Sequence, residues 1–158
     1  MKRILLILAA MFALAACSSL PLMQDGPVQL GPGEGLAAVT FDTLDALTHV
    51  SLMPREGGRK LQITTVPAGR TIYLFVVPEG EYCFTRFQFA NWGFTARQGG
   101  DLACFKVQAG QLAYSGTLAP RVEGKNIVNH QVQDMPGFRI LLQQQYPQVA
   151  QQFPAPAD

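Results

Sequence analysis

Arg70-Thr71-Ile72-Tyr73-Leu74-Phe75-Val76-Val77-Pro78-Glu79-Gly80-Glu81-Tyr82-Cys83 is the stretch that decides the fold class. Ile72, Leu74 and Val76 alternate with Tyr73, Phe75 and Val77, so both faces of the segment are apolar. Such a strand is buried on both sides, which predicts a central strand. Pro78-Glu79-Gly80 then ends the run, because proline cannot donate to a ladder and glycine tolerates the φ of a reversal. From Glu81 to residue 89 the β-like pattern resumes. The three-residue turn leaves no room for a crossover helix between the two runs, which favours antiparallel architecture for the fold as a whole.

Outward from this turn the chain keeps the same rhythm. Short β-like runs are predicted over residues 36–43, 48–53, 60–66, 70–77, 81–89, 102–107, 111–119 and 126–132. Turn formers separate them, including Pro54 with Glu56-Gly57-Gly58, and Pro67-Ala68-Gly69. No helical period intervenes, which excludes a parallel α/β sheet. Near the end, Asp134 suits an N-cap, Pro136 a first turn, and Phe138, Leu141, Leu142 and Tyr146 share one helical face before Pro147 stops the helix. The expected fold is therefore mainly β: an antiparallel β-sandwich of about seven to eight strands with one C-terminal helix, over residues 36–146. Residues 147–158 read as a frayed tail.

The N-terminus carries a different message. Lys2 and Arg3 precede an unbroken apolar run from Ile4 to Leu14, which has the length of a secretory signal and is too short to span a bilayer. Leu14-Ala15-Ala16-Cys17 resembles the bacterial lipobox, at which a dedicated peptidase cuts before a cysteine that receives lipid. The resemblance implies a signal peptide over residues 1–16, acylation of Cys17, and a membrane partner engaged through acyl chains. Ser18 resembles the residue type that directs such chains to the outer membrane, with the domain facing the periplasm. Residues 17–35 read as a tether rich in proline and glycine, although Leu20, Leu22, Met23, Val28 and Leu30 are too many apolar residues for a purely solvated linker. Loss of Lys2 and Arg3 turns the formal charge from +1 to −1. A chain of that charge without a basic cluster is not a nucleic-acid binder. With Cys17 acylated, Cys83 and Cys104 remain as an even pair in an oxidising compartment, and a disulfide is expected.

Val77-Pro78-Glu79-Gly80-Glu81-Tyr82-Cys83, together with Cys104 to Gly110 and Tyr114-Ser115-Gly116, resembles proteobacterial envelope lipoproteins that carry prealbumin-like or carboxypeptidase-regulatory-like sandwiches. The likeness covers roughly residues 70–118 and implies fold more than activity. Chemistry-bearing constellations are sparse. His49 and His130 stand apart, Ser115 lacks a nucleophile elbow, and no cofactor-binding or metal-ligating pattern is present. The close carboxylate pairs are Asp42 with Asp45 and Glu79 with Glu81. Trp92 and Phe94, read as loop aromatics, and Arg97 are the candidate contacts for an envelope protein or a peptidoglycan strand; the same aromatics would otherwise form a satellite core beside the disulfide. These features predict a lipid-anchored, non-enzymatic binding or assembly module. The alternative is a small periplasmic hydrolase, or a regulatory domain of one, using carboxylates.

Overall fold

The computed structural model describes residues 21–22, 24–90, 92–95, 103–123 and 126–156. Cys17, Arg97 and the expected signal segment lie outside them. The described residues form nine strands and two helices: β1 (Glu34–Thr43), β2 (Leu47–Pro54), β3 (Leu61–Ile63), β4 (Gly69–Pro78), β5 (Gly80–Phe89), β6 (Trp92–Thr95), β7 (Cys104–Val107), β8 (Leu112–Glu123), β9 (Asn126–Val132), α1 (Met135–Gln145) and α2 (Pro147–Gln152). One sheet has the order β4-β1-β8-β9. The other runs β3-β2-β5-β6, and β7 also pairs with β5. The expected β-sandwich is thus present, with one departure from antiparallel pairing: β1 and β8 run parallel. Their register shifts where Ser115 and Gly116 form a bulge, and Gly116 sits at φ +80°.

The decisive strand is explained differently from its sequence reading. In hydrogen-bond order β4 is an edge, paired with β1 alone among the named strands. It is apolar on both faces because its whole sheet is the middle of three layers. Phe75 and Val77 join Val39, Phe41, Phe84 and Phe87 between the two sheets. Ile72 and Leu74 point the other way, into a second core with Leu36, Phe138, Leu142 and Val149 under the helices. The two cores take alternate residues of the same strands, as the period of two requires.

Helix α1 begins where expected. The Asp134 carboxylate accepts from the Gly137 N–H at 3.0 Å, and Pro136 occupies the first turn. Phe138 is stacked on Tyr114 with ring centroids 4.2 Å apart. The chain does not fray after Pro147. Pro147–Gln152 forms α2, with Val149 and Phe153 buried in the second core. Proline stops α1 but suits the first turn of a new helix, and the apolar Val149 and Phe153 supply the burial that holds it.

The expected tether is also partly structured. Leu22 and residues 24–30 lie as a strap along the edge of β4 and under α2. The Leu22 N–H donates to the Leu74 carbonyl at 2.7 Å, and the Leu22 carbonyl accepts from the Tyr146 hydroxyl at 3.0 Å. Asp25 caps α2 through the amides of Gln148 and Val149 at 3.1 and 3.3 Å. Val28 exchanges both of its backbone hydrogen bonds with the Gln152 side chain, at 2.9 and 2.6 Å. The strap blunts the open edge of β4, a position that would otherwise invite pairing with another chain.

Residues 92–95, read from sequence as a loop, form β6. Phe89 stands opposite Trp92 and Phe87 opposite Phe94 in an antiparallel register with β5. Gly93 weakens the local strand signal, and the ladder offered by β5 overrides it. On the same edge of β5, β7 pairs with residues 80–83. Cys83 and Cys104 are register partners there, and they form the expected disulfide with Cα atoms 4.1 Å apart.

Candidate functional site

The best-formed concavity lies where the strap passes the turns at one end of the sandwich. Leu22, Gln24, Pro27 and Val28 form one wall, the β2–β3 turn from Pro54 to Leu61 forms another, and Val76 to Tyr82 form the floor. The groove encloses about 590 Å³, within the usual range for a small-molecule site. Its shape follows from turn chemistry. Gly57 and Gly58 adopt φ +86° and +134°, and Gly80 adopts +153°. Residues with a Cβ are strained in that region, so the sequence reserves it for glycine. The floor is apolar and firm: Leu61, Val77 and Tyr82 are all buried. Burial pushes the Tyr82 hydroxyl above its ordinary pKa, and it donates to the Pro78 carbonyl at 3.0 Å, bracing the Pro78-Glu79-Gly80 reversal.

Charge enters at the rim. Glu34, Glu56, Glu79 and Glu81 line the groove against the guanidinium of Arg59. Glu34 accepts from the Gly31 N–H at 2.7 Å, and Arg55 pairs with Glu81 at 2.7 Å. The expected pair Glu79 and Glu81 therefore reaches one site, but no histidine is among its described lining residues. Four carboxylates against one guanidinium leave the groove electronegative, which suits electrostatic selection of a ligand.

A second, shallower groove on the open part of the β8–β9 face is lined by Asp42, Arg70, Thr117, Arg121, His130 and Asp134. Asp45, the sequence partner of Asp42, is outside it, exposed in the β1–β2 turn. Asp134 is already engaged as the α1 cap and with Arg70. The Arg70 guanidinium, and then the Gly137 N–H, hold its carboxyl below the usual aspartate pKa. A carboxyl whose folded pKa is depressed stabilises the fold above its unfolded pKa and loses that contribution as pH falls through the folded value. Stability is therefore expected to decline as pH drops below about 4. Asp134→Asn should flatten that decline when urea midpoints are measured between neutral and strongly acidic pH.

Of the remaining expected residues, His130 shares the second groove with Asp42, and the others do not assemble. His49 contacts Ser51 at 2.9 Å, and burial, then Arg86 and Lys60, lower its pKa. His130 lies 3.6 Å from Glu123. Ser115 is fully buried and bonds to its neighbour's carbonyl, so it is no nucleophile. Trp92 and Phe94 take strand positions on β6 rather than loop positions, and Arg97 lies outside the described residues. Among the described residues no three His, Cys, Asp or Glu side chains gather to hold a metal ion. What the sequence reading missed is the strap. Its signal was the surplus of apolar residues in a segment otherwise composed like a linker.

Comparison with protein-family models, with curated proteins and with solved structures finds no match for this chain.

Proposed function

We propose that the protein is a lipid-anchored cell-envelope module that binds a ligand or partner in the strap groove and performs no chemistry of its own. The single observation that supports this reading most is that Cys17, the lipobox cysteine, lies five residues before Leu22, the first residue of the groove wall. Anchor and groove are then parts of one device: the signal segment is removed, Cys17 carries the acyl chains, and the sandwich presents the groove beside the membrane, facing the periplasm. The resemblance of the Pro78-Glu79-Gly80-Glu81-Tyr82 turn to those of envelope lipoproteins supports the same placement. Two or more acyl chains are enough for stable attachment.

The mature chain is expected to begin at an acylated Cys17 and to sediment with membranes. Cys17→Ser should move it essentially completely into the soluble fraction, with intact mass showing loss of the acyl groups. A Cys17→Ser variant that partitions like wild type would sink the reading.

A hydrolase is favoured by one observation: Asp42 and Asp134 share the second groove with His130. Turnover of chromogenic ester or glycoside substrates that is lost in Asp42→Asn would support it.

A further inference from the structure

We infer that the strap groove receives the ammonium headgroup of an aminophospholipid from the same membrane that holds the anchor. The inference rests on the acylation of Cys17 proposed above.

The first argument is reach. Leu22 is fixed on both sides, its N–H to Leu74 and its carbonyl to the Tyr146 hydroxyl. An extended chain covers at most about 3.6 Å per residue, so five residues from Cys17 span no more than about 18 Å. A domain of this size has a radius of gyration of roughly 14 Å, and so a diameter well above that leash. The lipid attachment therefore holds the strap side of the domain at the level of the headgroups. Had all of residues 17–35 been free, the domain could have stood clear of the surface.

The second argument is charge. Four glutamates line the groove against Arg59, and even with Arg55 on Glu81 negative charge is in excess. Glu56 and Glu79 stand on exposed turns at its rim. A purely anionic headgroup is repelled there. A headgroup ending in a primary ammonium is attracted and supplies three donors to carboxylate acceptors. Beneath that rim Leu61, Val77 and Tyr82 are buried and close the groove, so the ammonium enters first and the glycerol and acyl chains stay on the membrane side.

The test uses the mature chain carrying Cys17→Ser, titrated in solution with three short-chain lipids below their micelle concentrations. Dihexanoyl phosphatidylethanolamine should give saturable amide shifts at Val28, Gly57 and Gly80. Dihexanoyl phosphatidylcholine and phosphatidylglycerol should bind at least tenfold more weakly. Glu56→Gln with Glu79→Gln should weaken the phosphatidylethanolamine response about tenfold while leaving the circular dichroism spectrum unchanged. Equal response to all three lipids, or a response that ignores the double substitution, overturns the inference. So does preference for a lysine-containing peptide over the lipid amine. The two readings fail separately: intact mass of the wild-type protein decides acylation, and this titration decides the headgroup whether or not Cys17 is acylated.

Discussion

Gly35→Ala should destabilise the protein by about 3 kcal/mol, the upper end of the usual range for overpacking. The cause is space and not backbone conformation. A Cβ at Gly35 would fall 2.3 Å from the Gln108 carbonyl oxygen and 2.7 Å from a Val107 methyl. The nearer atom is backbone and cannot rotate away. It is also pinned, because the β7–β8 turn is laced to the start of β1: Gly110 N–H donates to the Glu34 carbonyl at 2.8 Å, and Leu36 N–H to the Gln111 carbonyl at 2.9 Å. Relief requires pulling β1 from that turn, at the point where both cores begin. Gly33→Ala is the natural comparison. Gly33 sits at φ +75° with open space around its Cβ position, so its cost is left-handed strain alone, about 1–2 kcal/mol. Urea midpoints of the two variants separate the effects, and a Gly35→Ala midpoint at or above that of Gly33→Ala would refute the packing account.

Loss of the disulfide should be comparably severe. Cys83 and Cys104 are separated by 21 positions, and releasing a loop of that length returns about 3 kcal/mol of chain entropy to the unfolded state in the loop-closure treatment. For a domain of this size the melting temperature should fall by roughly 10 °C. The loss is structural as well as entropic, because the loop contains β6, and the cysteines bind β7 to the other half of the same β5 edge. Cys83→Ser with Cys104→Ser should melt with wild type measured in strong reductant. A reductant-insensitive melting temperature would show that the bridge contributes little.

The sandwich was legible because the signals that define it are local. Alternation in residues 70–77, the Pro78-Glu79-Gly80 reversal and the Asp134 cap each depend on a few neighbouring side chains, and each appears where expected. Most of the misreadings trace to a partner distant in sequence. Residues 70–77 look central because two layers cover them, which their own alternation cannot distinguish from two neighbouring strands. Pro147 to Phe153 looks like a tail until the strap offers Asp25 and Val28 as partners. Trp92 to Thr95 pairs because β5 is already a ladder. The groove was half visible, since Glu79 and Glu81 stood out as a carboxylate pair. Its opposite wall was hidden, because linker composition around Pro27 and Gly31 outweighed the apolar residues between.

The joining of Val28 to Gln152, 124 positions apart, has a consequence for the order in which the fold assembles. A strand or hairpin can form as soon as its own residues emerge, but contacts of such long separation wait for the chain to close. The strap meets Gln148, Val149 and Gln152 only once α2 has docked. Until then one wall of the groove is held by little more than the Leu22 N–H on Leu74. Docking of α2 completes the groove in a single step, so the cavity is among the last features of the fold to form.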